Sequence, residues 1–270
     1  MYELEYVKKR KRRKRAAIIG GISVVVVSTL SIVAFLGRFV GTFTVSLDTG
    51  NVKLALSQKS DFANSTSFLR VDELPIFNEC TYSYLTDVIG SSQIDNEETN
   101  LKVGATSLND DGSIRSLLFF KYTFYVKNVG NSPARYTFSL NILDSKEGND
   151  GRKLDDTLRV MLYENSDLSK HESKVYAKKS NKKTHEDEEG NPRYEAPIAG
   201  DIGTPEFVGW SEPFKNSNVI TTFTVNHFAI GDLRRYTIAT WLEGEASDSG
   251  RDAPTGANIK LGVEINAYEI

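Results

Sequence analysis

The sequence predicts an all-β domain, an antiparallel β-sandwich or jelly roll of about ten strands, preceded by one N-terminal transmembrane helix. Residues 16–37 form an uncharged apolar run, and several later runs alternate apolar with polar residues. After residue 40 no amphipathic pattern predicts a helix longer than about ten residues. The composition, 39% hydrophobic and 26% charged, is that of a globular protein and excludes a wholly disordered or multi-pass membrane chain.

The first predicted element is a membrane anchor. Residues 16–37 contain 22 residues without a charge, and a helix of that length spans about 33 Å, close to the ~30 Å hydrocarbon core of a bilayer. The tail before it, residues 1–15, ends in an unbroken basic cluster: Lys8, Lys9, Arg10, Lys11, Arg12, Arg13, Lys14 and Arg15. The positive-inside rule therefore predicts a cytoplasmic tail and an extracellular domain over residues 41–270. A cleaved signal peptide is the alternative and would make the domain secreted, although the apolar run is longer than a usual signal sequence.

The charges are divided unequally between the two parts of the chain. Residues 1–40 carry nine basic and two acidic residues, whereas the remainder carries 24 basic and 34 acidic residues. An acidic domain repels a phosphate backbone, so nucleic acid is excluded as a partner of the main domain. The partners predicted are the membrane and, outside the cell, other surface proteins or further copies of this chain.

Alternation predicts strands in the outer part, and the sequence gives their approximate bounds. The predicted strands are 42–47, 52–57, 67–71, 101–107, 118–126, 135–142, 158–163, 219–229, 236–242 and 258–267. Residues 128–133 (NVGNSP) have turn composition, which predicts that strands 118–126 and 135–142 form an antiparallel hairpin. Each strand is expected to turn one apolar face to the core and one polar face to water. The segment 168–204 is polar throughout, which predicts either a mobile insertion or a ligand-binding loop.

The sequence contains no motif that predicts catalysis or a cofactor. His171, His185 and His227 have no metal-ligand spacing, and the acidic run 186–189 is most simply a solvated stretch. Residues 109–113 and 148–151 are interpreted as turns, since they lack the acid spacing of a calcium loop. The prediction is a protein that is not an enzyme and has no cofactor or metal. A hydrolase of the cell envelope stays open, because two catalytic carboxylates need only be close in space.

Two tryptophans and one cysteine have two interpretations each. Trp210 and Trp241 are either core residues or aromatic contacts of a carbohydrate-binding module. Cys80 is the single cysteine, so no intramolecular disulfide can form. It is either a buried apolar residue or a thiol available for an intermolecular bridge. Such sparing use of cysteine suits a surface protein of a Gram-positive bacterium.

Three short stretches resemble a group of bacterial surface proteins. The run 41–47 (GTFTVSL) directly after the apolar segment, the run 124–130 (FYVKNVG) and the run 236–244 (YTIATWLEG) are similar to secreted and membrane-anchored β-sandwich proteins of Firmicutes. The first of them is also loosely similar to TasA/camelysin-type proteins, whose jelly-roll domains build extracellular matrix fibres. The resemblance implies a non-enzymatic role in surface structure, adhesion or matrix assembly.

Overall fold

The computed structural model describes residues 41–49, 52–74, 76–77, 79–100, 104–108, 110, 114–201, 204–243 and 254–270. The basic cluster 8–15 and the predicted transmembrane segment 16–37 lie outside these residues. Within the described ranges, no helix has both the length and the apolar character needed to cross a bilayer.

The described residues are mostly β, as predicted. The strands are β1 (Gly41–Asp48), β2 (Leu54–Ser57), β3 (Phe68–Leu74), β4 (Ile76–Phe77), β5 (Glu79–Cys80), β6 (Ala105–Leu108), β7 (Ile114–Leu117), β8 (Phe119–Asn128), β9 (Ala134–Lys146), β10 (Leu158–Asn165), β11 (Ser173–Ala177), β12 (His185–Glu186), β13 (Pro192–Arg193), β14 (Pro197–Asp201), β15 (Thr204–Trp210), β16 (Glu212–Pro213), β17 (Val219–Phe228), β18 (Leu233–Glu243) and β19 (Asn258–Glu269). The helical pieces are single turns: a π-helix at Tyr84–Ile89, an α-helix at Ser91–Ile94, and 3₁₀ turns at Glu97–Thr99 and Leu154–Asp156. A strand is present in each of the ten predicted ranges, with bounds shifted by a few residues, and residues 101–103 of the range 101–107 lie outside the described residues.

Two large sheets organise the domain. Sheet I has five strands in the order β17-β9-β19-β1-β3, and sheet II has seven, in the order β16-β11-β10-β18-β8-β2 with β5 pairing the end of β18. Most neighbours are antiparallel, but β1 and β19 run parallel, as do β11 and β16, and β5 and β18. Three smaller sheets pair β12 with β13, β14 with β15, and β4 with β7 and β6.

The apolar faces of sheets I and II pack against each other over the main core. Phe43 of sheet I lies 5.2 Å from Phe120 and 5.3 Å from Tyr122 of sheet II, measured between ring centroids. The hydroxyls of Tyr136 and Tyr236 also meet across the core at 2.6 Å. This bond satisfies two buried polar groups that would otherwise be costly to desolvate.

The predicted hairpin of 118–126 with 135–142 is wrong. β8 pairs with β18 and β2 in sheet II, whereas β9 pairs with β17 and β19 in sheet I. The connection between β8 and β9 therefore passes from one sheet to the other, and their apolar faces meet across the core. Asn128 fixes its start, because its buried amide donates to the carbonyls of Ser132 and Phe228 and accepts from the Gly130 N–H.

The prediction that each strand has one solvated face is also wrong for sheet II. Almost every residue of β8, β10 and β18 is buried on both faces. Residues 79–100, here called the cover segment, pack over the outer face of this sheet together with part of β14. A second apolar cluster forms there, and it contains Cys80, Leu85, Ile94, Phe119, Met161, Tyr163, Val175, Ile198, Ala239 and Trp241.

The polar segment 168–204 is built into the fold. β11 pairs with β10 at five residue positions, from Arg159↔Ala177 to Tyr163↔Ser173. Ala177 and Ala196 are buried, as is Ile198 of β14. The segment is mostly polar in composition because only a few of its side chains pack into the apolar interior of the domain.

Candidate functional site

A buried ionic cluster joins the cover segment to the outer face of sheet II. Asp95, which follows the helical turn Ser91–Ile94, is only 1% exposed. Its Oδ1 accepts from Arg235 Nε at 2.9 Å and from the Thr237 hydroxyl at 2.6 Å. Its Oδ2 accepts from Arg235 Nη2 at 2.5 Å and from Asn165 Nδ2 at 2.7 Å. The carboxylate is thus held by a bidentate arginine and two neutral donors, which is the arrangement that makes a buried charge tolerable.

Arg235 extends this cluster to the loop after β10. Its Nη1 donates to the Leu168 carbonyl at 2.8 Å and its Nη2 to the Lys170 carbonyl at 2.9 Å. His171 Nδ1 lies 3.0 Å from Asp95 Oδ2, and this imidazole is the partly exposed member of the cluster. One arginine therefore connects β18, the cover segment and the loop 166–172.

Lys121 is buried beside this cluster. Lys121 is 1% exposed, and its Nζ donates to the Asn96 carbonyl and to the Thr99 hydroxyl. Burial lowers the pKa of Lys121 from 10.5 to about 7, even though the carboxylates of Asp95 and Glu97 favour its charged form. Burial alone would raise the pKa of Glu97, but donation from the Tyr125 and Ser60 hydroxyls makes it lower than usual.

This cluster is not predicted by any pattern in the sequence. The alternation of 118–126 places Lys121 and Thr123 on the face that was expected to be solvated, and Asp95 stands in a polar stretch without a motif. The available signal was the presence of three large aromatic residues on the face of β8 and β18 that was expected to be solvated, namely Phe119, Tyr125 and Trp241. Asp95, Arg235 and Lys121 are almost inaccessible, and their bonds fasten the cover segment to sheet II.

Trp210 and His185 form a stacked aromatic pair at the surface. The ring centroids are 3.8 Å apart and the planes differ by 9°. Trp210 is 38% exposed, at the end of β15. Glu195 lies near the edge nitrogen of the same imidazole, with its Oε2 4.0 Å from His185 Nε2. An aromatic plane next to a carboxylate is suited to a sugar ring, which offers apolar C–H faces and hydroxyl donors.

Trp241 is not accessible to a ligand. It is fully buried, and its indole Nε1 donates to Glu243 Oε2 at 3.2 Å. Tyr82 of the cover segment lies 6.4 Å from it between ring centroids. Of the two tryptophans predicted as ligand contacts, Trp210 alone has an exposed position.

The described ranges contain no group of three or more His, Cys, Asp or Glu side chains arranged to hold a metal ion. In the acidic run after His185, Glu186 pairs with Lys183, and Asp187 pairs with Arg193 at 2.8 Å. His227 is exposed on β17.

Residues 109 and 111–113 of the first candidate calcium turn lie outside the described residues. In the second turn, Asp150 accepts from Arg152 Nε at 2.7 Å.

Cys80 is buried in the apolar cluster of the cover segment, at 2% exposure. Burial raises the pKa of its thiol to about 12, a backbone hydrogen bond of Thr81 acts in the opposite direction, and the nearby Glu243 carboxylate adds to the effect of burial. A thiol that is both inaccessible and protonated at neutral pH is unreactive. The intermolecular bridge considered from the sequence therefore has no accessible sulfur in the folded domain.

Two open clefts lie on either side of Gln58 and Lys59. One, of about 440 Å³, is lined by Ser57, Gln58, Lys59, Asn64, Ser65, Thr66, Phe68 and Leu69. The other, of about 350 Å³, is lined by Gln58, Lys59, Ser60, Asp61, Glu97, Glu98 and Asn100. Gln58 is held in place by donating to the Tyr122 hydroxyl at 2.6 Å. Most of the lining residues are polar or charged, so these clefts can hold small polar molecules by hydrogen bonds.

The sequence matches no protein-family model and no curated protein sequence.

Proposed function

We propose that this protein is a non-enzymatic surface protein of a bacterial cell, with a jelly-roll type β-sandwich held outside the membrane by one N-terminal helix and serving structure, adhesion or assembly. The observation that carries the proposal is the position of β1. This strand begins at Gly41, four residues after the proposed membrane helix, and lies inside sheet I between β19 and β3. Only three residues, 38–40, would then separate the anchor from the first strand of the domain in the sequence.

Cysteine labelling in intact cells tests the proposed topology. Because Cys80 is buried and protonated, we expect the unmodified chain to give almost no reaction with a membrane-impermeant maleimide. A cysteine in place of Asn181, at an exposed turn, should react in intact cells. A cysteine in place of Val7, in the basic tail, should react only after permeabilisation. Labelling of position 181 only after permeabilisation would contradict an extracellular domain.

The non-enzymatic part of the proposal has its own test. The purified full chain, in detergent, is incubated with peptidoglycan and a panel of envelope polysaccharides. We expect no release of soluble fragments above a heat-denatured control. Measurable turnover that is lost on substitution of two carboxylates lying close in space would replace this proposal with the envelope hydrolase.

Trp210 supports a second candidate function, the binding of a glycan. Trp210 is 38% exposed, and its stacking on His185 at 3.8 Å fixes the orientation of the indole before a ligand binds. We expect Trp210→Ala to weaken binding to N-acetylated glycan oligomers at least about tenfold, since central aromatic contacts commonly contribute 2 kcal/mol or more. His185→Ala should weaken it less, because the indole is retained and only its orientation is lost.

Tryptophan fluorescence can measure this binding, since the chain has two tryptophans and one is fully buried. A ligand-dependent change that disappears in Trp210→Phe would locate the contact at this residue. Ile230→Ala is the matched control, because Ile230 is an exposed apolar residue in the turn between β17 and β18. If the wild-type chain and Trp210→Ala bind the glycan equally well, the Trp210–His185 pair is not a glycan site.

A further inference from the structure

The strand that joins the domain to its anchor is paired along both edges. β1 runs parallel to β19 through six residue pairs, from Phe43↔Leu261 to Asp48↔Asn266. It runs antiparallel to β3 through five pairs, from Gly41↔Leu74 to Ser46↔Phe68. Removing β1 from sheet I would therefore require both ladders to break.

The parallel pairing sets the direction in which a load acts. Since β1 and β19 run the same way, Asp48 lies beside Asn266, and the last residue, Ile270, lies beyond that end of β1. Gly41 lies at the opposite end of the strand. A pull between residues 41 and 270 would drive β1 and β19 in opposite directions along their axes. Their evenly spaced hydrogen bonds would then carry the load together, in shear, and would not open one after another.

The side chains of β1 add to this resistance. Phe43 and Val45 are buried at 1% and 0% exposure, and Leu47 is buried beside them. Phe43 packs on the rings of Phe120 and Tyr122 in the opposite sheet. Sliding β1 along its axis moves these side chains out of their packed positions, and interiors packed at crystal density resist such movement.

We propose a load-bearing function for this strand pair: β1 and β19 form a mechanical clamp that keeps the domain folded when its outer end is pulled away from the membrane. The clamp rests on the proposed function in one respect, namely that the load enters at Gly41. Other parts of sheet I lie outside this path. β17, at the far edge, is separated from β1 by β9 and β19.

Single-molecule force spectroscopy on the full chain in detergent tests the clamp. Handles attached through cysteines at Val40 and Ile270 load β1 against β19 in shear. Handles at Ser132 and Ile270 also pull on β19, but at the same end of the strand pair as β9. Ala134, the first residue of β9, pairs with Glu269, so the two handles lie next to each other. That second geometry peels β9 from β19 one bond at a time. At equal loading rate, we expect the rupture force between positions 40 and 270 to be about threefold higher.

Substitutions test which strand carries the load. Thr44→Pro removes one N–H from β1 at an outward-facing position, and we expect it to lower the rupture force between positions 40 and 270 by about half. Thr224→Pro makes the same change in β17, outside the load path, and should leave that force unchanged. If Thr44→Pro does not fold, the comparison of the two pulling geometries decides alone.

A rupture force between positions 40 and 270 that is equal to or below that of the peeling geometry would overturn the clamp. The clamp would also be overturned if Thr44→Pro and Thr224→Pro lowered this rupture force by the same amount. Neither result depends on where the domain resides in the cell, whereas the maleimide experiment tests location without any force. The failure of one proposal can therefore be distinguished from the failure of the other.

Discussion

Asp95→Asn is expected to lower the free energy of unfolding by about 3 to 5 kcal/mol, the largest single effect among the charged residues of this domain. The substitution keeps the size of the side chain but leaves the Arg235 guanidinium buried without its carboxylate. An uncompensated buried charge costs more than the loss of its hydrogen bonds alone. Chemical denaturation of the full chain in detergent, followed by tryptophan fluorescence, would measure the loss.

Asp144→Asn is the matched control for this experiment. Asp144 also pairs with a cation, Lys260, but at 3.9 Å and with both side chains about two-fifths exposed. Such a pair is expected to contribute less than about 1 kcal/mol. Combining Asp95→Asn with Arg235→Gln should recover part of the stability, because the unpaired charge is removed. If Asp95→Asn and Asp144→Asn cost the same, the cluster does not fasten the cover segment.

Lys121 is expected to make stability depend on pH in the alkaline range. The folded chain releases the Lys121 proton near pH 7, whereas the unfolded chain holds it until about pH 10.5. Between these values the unfolded state binds more protons, so the free energy of unfolding rises with pH. Below about pH 7 both states hold the proton and the full cost of burying the cation is present. We expect the titration of Lys121 by itself to add several kcal/mol to the free energy of unfolding across this window.

Lys121→Met should flatten this profile, because methionine fills the same space without a charge. The variant loses the hydrogen bonds to Asn96 and Thr99, so its slope against pH, and not its stability at one pH, is the informative quantity. Measurements from pH 7 to about 8.5 stay below the range in which the Cys80 thiol and the tyrosines ionise in the unfolded chain and would oppose the effect of Lys121. Lys59→Met, at an exposed position, should keep the wild-type slope. A wild-type profile that is flat over this window would contradict a neutral Lys121.

Local pattern was enough to predict the strands but not their partners. The alternation in 118–126 and 135–142 identified β8 and β9 correctly, since each has apolar residues at every second position. The hairpin was wrong because alternation tells which face is buried and not which strand lies beside it. A short turn serves equally well for a hairpin and for a crossing between facing sheets, and the buried Asn128 amide selects the crossing here.

The buried cluster could not be predicted because its members are distant in the sequence. Asp95 and Arg235 are separated by 140 positions, and each by itself resembles a surface residue. Lys121 stands next to aromatic residues in a strand with alternating character, which ordinarily places a lysine in water. Only the packing of residues 79–100 over sheet II makes these positions interior. Trp210 could be proposed from its residue type, but its stacking on His185 depends on how β12 and β15 are placed.

The double shielding of β8 and β18 has a consequence for the order in which the domain comes apart. Amide hydrogens in these strands, enclosed by layers on both sides, exchange with solvent only when the whole domain opens, whereas those at the margin of sheet I exchange through smaller fluctuations. The middle strands of sheet II are then the last part of the domain to unfold. Strand β1 belongs to the other layer, so the strand that follows the proposed anchor in the sequence is not the part on which thermal stability depends.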